Sequence, residues 1–262
     1  MSLAYAFFDV DGTLIRSKSM LAFHDFWYKS WLSFSTNAHQ EEYADTTAIL
    51  RAHHDNQSPR SVINRRFYEF FAGRAVAEVT RCAETWAKRA LINPTFLIQE
   101  VVTELKSHHS QKIEPVLVSG SFIEILAPIA EHLGVPYILA TKLLHDGQKY
   151  NGCFVPPQTI GVGKALAIQD FIEKHGGDLK NCWAYGDDIS DEHMLKLVGH
   201  PVAVIGDPLL EAYAHKHGWR CLNLPKESQT LAFSSKNDKK HDRNLLTTTE
   251  TYFSHRRRSR HR

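Results

Sequence analysis

PVLVSGSFIEILAPIAEHLGVPYILAT, residues 115–141, reads as an apolar run, then apolar residues three and four apart up to a glycine, then a second apolar run. A strand, a helix of about a dozen residues and a second strand make the two strands parallel, because a crossover of that length returns the chain to the same end of the sheet. The alternation continues outward. FLIQEVVTELKSHH precedes this stretch as a helix, and LLHDGQKYNGCFV follows it as a hairpin turning at Asp146-Gly147. Helix GKALAIQDFIEKHG, strand CWAYGDD, helix SDEHMLKLVG, strand PVAVIG, helix PLLEAYAHKHG and a short strand WRCLNL complete the run. With AYAFFDVDG as the first strand, the expectation is an α/β fold, a doubly wound, mostly parallel sheet. Such sheets bind ligands at the carboxyl ends of their strands.

Residues 16–92 depart from this alternation. MLAFHDFWYKSWLSF and NRRFYEFFAG carry apolar residues at helical spacing, so the segment reads as a helical insertion, with Phe23, Trp27, Phe67, Phe70 and Phe71 expected mainly in its interior. The expected organisation is a core of residues 1–15 and 93–225, a helical cap of 16–92, and a basic tail of 226–262.

With 262 residues, 43% of them hydrophobic, the chain can bury a full core. No run of about 18 apolar residues and no basic leader with an apolar stretch is present, so neither a membrane span nor a signal segment is expected, and the default location is cytoplasmic. Cys82, Cys153, Cys182 and Cys221 are too scattered for a zinc pattern or a disulfide framework and are expected as reduced thiols. The net charge of +2 hides an asymmetry: residues 226–262 hold ten Lys and Arg against four Asp and Glu, leaving 21 against 25 before them. That tail, ending in SHRRRSRHR, has little apolar periodicity and is expected to be disordered. It nearly lacks the interleaved aromatics that stack on bases, so a nucleic-acid partner is not the expectation, although the tail keeps that class open.

Polar residues gather at the predicted strand ends. Asp9 and Asp11 end the first strand, Ser119 ends PVLVS, and Asp187, Asp188 and Asp191 follow CWAYG. Two carboxylates one residue apart are costly when partly buried unless a cation or a proton lies between them. Lys164, opening the helix after the hairpin, can supply one positive charge at the same rim. A carboxylate pair, a hydroxyl, an ammonium and a second acidic cluster are what Mg²⁺-assisted phosphoryl transfer through an aspartyl intermediate needs.

FFDVDGTL, VLVSGS, the Lys of GVGK and YGDDISD, in this order, resemble the four motifs of the haloacid dehalogenase superfamily, over residues 3–222. The helical segment after the first motif is similar in position to the cap of the subfamily that contains phosphoserine phosphatase, and SGSF is close to that branch's SGGF. The resemblance implies Asp9 as nucleophile and Asp11 as general acid and base. It implies Mg²⁺ on the Asp9 carboxylate, the Asp11 backbone carbonyl and the Asp187 carboxylate. Ser119, Lys164 and backbone N–H groups near Gly12 and Gly120 would hold the phosphate, while Asp191 and Asp188 orient Lys164 or a water. Nine residues past the nucleophile, where phosphoserine phosphatases carry a Glu that reads the substrate ammonium, this chain has Lys18. A small phosphate ester with a second anionic group is therefore expected as substrate in place of phosphoserine, with Lys18 as a selectivity residue. A phosphotransferase or mutase using the same residues, and more distantly a non-catalytic phospho-Asp or nucleic-acid-binding protein, remain the alternatives.

Overall fold

A computed structural model describes residues 3–55 and 58–225 of the chain, side chains at 53–55 excepted. The basic tail lies outside the described residues. Six parallel strands form the sheet: β1 (Tyr5–Phe8), β2 (Glu114–Phe122), β3 (Tyr137–Thr141), β6 (Trp183–Gly186), β7 (His200–Val204) and β8 (Arg220–Leu222). Their order is β3-β2-β1-β6-β7-β8. The chain winds from β1 outward to β3, then returns to the other side of β1 and winds outward again. The reversal between β1 and β6 opens a crevice at their carboxyl ends. A separate antiparallel hairpin, β4 (Leu143–His145) with β5 (Tyr150–Phe154), turns where the sequence places it.

Strand alternation decides which helices cover which face. Tyr5 and Phe7 of β1 join an apolar cluster with Ile168 and Phe171 of α7 (Val162–His175), Met194 and Leu195 of α8 (Glu192–Leu197), and Leu210 of α9 (Pro208–His217). Ala6 and Phe8 point the other way, into a cluster with Val101 and Leu105 of α5 (Gln99–Ser110) and Ile125 and Ile129 of α6 (Ile123–Leu133). Both faces are thus apolar, as a doubly wound sheet requires.

The segment read as a cap holds α1 (Ser19–Phe26), a π-helical turn (Trp27–Trp31), α2 (Asn37–Asp55), α3 (Arg60–Glu69) and α4 (Val76–Ile92). Phe23, Trp27, Phe67 and Phe71 are buried and Phe70 is half-buried, and they meet the sheet at Phe122: Phe71 lies 5.0 Å and Phe23 6.2 Å from that ring. Two boundaries differ from the sequence reading. α5 begins at Gln99, not Phe96, because Arg16 N–H donates to the Phe96 carbonyl and Ile98 N–H to the Leu14 carbonyl, holding 96–98 extended. β2 runs on to Phe122, accommodated by a register shift against β3 between Ser119 and Phe122.

Among these aromatics His24 is buried, its Nε2 2.7 Å from Thr46 Oγ1 and its ring stacked on Tyr43. Burial drives its pKa down to about 4. The unfolded chain takes up this proton near pH 6.5 and the folded one does not, so stability is lost as pH falls from about 6.5 to 4. The stability difference between wild type and His24→Phe is expected to move against the wild type by ~3 kcal/mol between pH 7.5 and pH 4, read by urea unfolding at each pH. A pH-independent difference would exclude a neutral buried imidazole.

Candidate active site

Asp9 follows β1 directly, and its N–H still donates to the Tyr185 carbonyl on β6 (2.9 Å), so the sheet itself fixes its side chain at the crevice. The chain then turns sharply: Gly12 has φ +105°, and a Cβ there would lie 2.2 Å from Asp187 Oδ2. Only glycine lets the first strand's loop approach the Asp187 carboxylate this closely. Gly12→Ala is expected to displace Asp187 and lower kcat at least about a hundredfold, as does misplacing a reacting group by an ångström. Turnover within threefold of wild type would show that Asp187 tolerates the shift.

Thr13, fully buried, has its Oγ1 3.2 Å from Asp9 Oδ2 and 3.1 Å from Asp187 Oδ1, tying the two strand ends together. Asp11 turns the other way. α1 opens on Lys18, whose side chain does not cap it. The Asp11 carboxylate takes that place, accepting from Ser19 N–H and Ser19 Oγ–H, both at 3.0 Å. Burial raises the Asp11 pKa, although Lys18 and the Ser19 hydrogen bonds oppose it. The side chain that caps α1 is therefore a buried carboxyl whose pKa lies above its ordinary value.

Lys164, in the first turn of α7 and 5% exposed, donates to Asp9 Oδ1 and to Asp191 Oδ1, each at 2.5 Å. Burial opposes its charge, but the two carboxylates prevail and raise its pKa. Burial also pushes at Asp9, yet the Lys164 charge and hydrogen bond hold that carboxylate below the ordinary range, unprotonated. Asp191 is driven up to about 6 by burial and Asp187 up to about 8, with Asp9 adding to both. One oxygen from each of Asp9, Asp187 and Asp191 lies within 4.8 Å of the others. Lys164 pairs with only two of these three acids, Asp9 and Asp191, and oxygen donors at this separation suit a hard divalent cation.

α3 crosses the rim. Arg60 Nη2 donates to Asp188 Oδ2 (2.9 Å), while Tyr68 OH (2.5 Å) and Asn64 Nδ2 (3.3 Å) donate to the Gly120 carbonyl. Ser119, 2% exposed on β2, accepts from Ser121 N–H at 3.1 Å. The residues singled out in the sequence thus converge on one rim. Asp188, expected to orient Lys164 or a water, accepts from Arg60 Nη2 and from Ser190 N–H (3.0 Å), and these keep it ionised despite burial. Lys18, expected to face a substrate, donates to the Asp11 carbonyl at 2.5 Å and lies 4.0 Å from Asp187 Oδ2. The sequence reading missed Thr13, Ser19, Asn64 and Tyr68 as site residues. Thr13 lies within the first motif and Ser19 just before the quoted helical stretch, and nothing local marks Asn64 or Tyr68.

The acidic cluster, with Lys164 on two of its members, thus stands at the reversal point of a parallel sheet overlaid by helices. The model of the haloacid dehalogenase-like hydrolase family matches residues 6–196, and the chain belongs to that family as an enzyme of its phosphatase-like kind. A phosphoserine phosphatase of Mycobacterium tuberculosis is 30% identical over 223 residues, covering 82% of this chain and 69% of its own. A histidinol-phosphatase of Neisseria meningitidis is 26% identical over 234 residues, covering 84% and 98%. A Bordetella pertussis protein of unknown function has a similar fold, with a TM-score of 0.73 and 22% identity over 85% of this chain and 99% of its own. No helix among the described residues is long and apolar enough to cross a membrane.

Proposed function

We propose that the chain is a Mg²⁺-dependent phosphomonoester hydrolase that acts on a small phosphorylated metabolite through an aspartyl phosphate. The observation that carries this reading is the gathering of one carboxylate oxygen each from Asp9, Asp187 and Asp191 within 4.8 Å at the ends of adjacent strands, with the buried Lys164 ammonium on Asp9 and Asp191. Mg²⁺ would be held by the Asp9 and Asp187 carboxylates and the Asp11 carbonyl, where it screens the charge between nucleophile and phosphate.

Asp9, kept unprotonated by Lys164, attacks phosphorus; its O–P bond forms as the ester O–P bond breaks. Asp11 gives its proton to the departing alkoxide. It then takes a proton from the water that attacks phosphorus, which breaks the aspartyl O–P bond and releases phosphate. Ser119, Lys164 and N–H groups near Gly12 and Gly120 hold the equatorial oxygens. The helices of residues 16–92 serve as the cap that excludes water, and Arg60, half exposed beside Asp188, offers a cation to an anionic leaving group. The named substrates of the two relatives differ from each other, and Lys18 stands where a phosphoserine enzyme carries Glu, so a phosphate ester other than phosphoserine is favoured.

The test is phosphate release over a metabolite panel with Mg²⁺ and with chelator. Activity that survives exhaustive chelation, or phosphorylated alcohol in place of free phosphate, overturns the reading. Asp11→Asn refines it: about a hundredfold or greater loss is expected on alkyl phosphates and a much smaller one on p-nitrophenyl phosphate, whose leaving group needs no proton. Equal losses would remove Asp11 as the acid.

A further inference from the structure

The Lys18 ammonium sits at two of the three groups assigned above to Mg²⁺. Its Nζ is 2.5 Å from the Asp11 carbonyl oxygen and 4.0 Å from Asp187 Oδ2. The chain holds it there. Lys18 is the extended residue just before α1, with φ −84° and ψ 105°, and the next residue is pinned by two hydrogen bonds to the Asp11 carboxylate. A flexible lysine at a solvated helix start would point outward; this one turns inward, although its side chain keeps 43% exposure and an open path to solvent.

From this we infer that Lys18 is a tethered cation that occupies the magnesium position and competes with the metal for the Asp11 carbonyl and Asp187. The inference rests on the Mg²⁺ reading of the site. Mg²⁺ needs an oxygen ligand at about 2.0–2.1 Å, and an ammonium already bonded to the same carbonyl places a second positive charge against it. The ammonium must swing away when the metal binds, and its exposed stem allows that. A site open only a tenth of the time binds its ligand about tenfold more weakly than an open one. Lys18 thereby offsets part of the cluster's negative charge without metal, and it raises the Mg²⁺ concentration needed to half-fill the site.

The experiment is Mg²⁺ titration by calorimetry on the full chain as wild type, Lys18→Met, Lys18→Arg and Asp187→Asn. Lys18→Met is expected to bind Mg²⁺ about tenfold more tightly than wild type, and Lys18→Arg, which keeps the charge, to stay near wild type. A Met variant within twofold of wild type, or an Arg variant as tight as the Met one, overturns the inference. The swing is read directly by amine acylation followed by peptide mass spectrometry. Mg²⁺ should raise the labelling rate of Lys18 at least about threefold relative to exposed Lys196, as release from one strong hydrogen bond demands. An unchanged or lowered rate contradicts it. Should wild type and Asp187→Asn both fail to bind Mg²⁺, the metal reading falls and this inference with it. Binding that Asp187→Asn weakens but Lys18→Met leaves unchanged defeats the inference alone.

Discussion

Replacing Asp9 by Asn is expected to lower turnover at least about a thousandfold, because an amide is a poor nucleophile and a covalent step has no substitute for it. The carbonyl oxygen of Asn can still accept from Lys164 Nζ, which now sits 2.5 Å from Asp9 Oδ1, so the fold should persist. The loss must therefore appear in kcat with little change in far-ultraviolet dichroism. Residual turnover above about 1% in a preparation free of wild-type enzyme would remove Asp9 as nucleophile. Acid-stable phosphate should be trapped on the wild-type protein after a rapid quench, and none on the Asn variant.

Lys164→Met should be the most destabilising single change at the site. It removes the ammonium shared by Asp9 and Asp191, both almost fully buried, and the methionine stem fills the space without supplying charge. Breaking a buried pair by deleting one partner costs ~3–5 kcal/mol, and urea unfolding in chelator should report a loss of that order. The stranded carboxyls can escape part of the penalty by taking up protons, so the loss should shrink as pH falls from 8 toward 5. Mg²⁺ should restore some of the stability and none of the turnover. A variant as stable as wild type at pH 8 would mean that the ion pair is not formed in solution.

Much of the scaffold is readable residue by residue. Alternation along YAFF and the helical spacing of IEILAPIAEHL are local properties, and burying both faces of a sheet needs nothing further to define the architecture. Asp9, Asp11, Ser119, Lys164 and Asp187 were likewise visible, since each stands at a predicted strand end or helix start, and a parallel sheet brings those ends together. The ends of α5 and β2 were less so, because they depend on hydrogen bonds to Leu14 and Arg16 and on the register against β3, which no window of sequence contains.

The sequence by itself determined the layer order, the rim and the identity of the acids upon it, for these follow from short-range periodicity and from the cost of placing like charges at buried strand ends. Tertiary structure alone decided how the charges pair. Arg60 meets Asp188 across 128 positions, and Thr13, beside Asp9, reaches Asp187 across 174. Lys18, which local sequence marks only as a loop cation, turns back seven residues to the Asp11 carbonyl. The physical reason is that a charged side chain settles where the summed field and the available space leave it most favourably placed. That field comes from residues far apart in the chain and exists only once the strands are laid side by side.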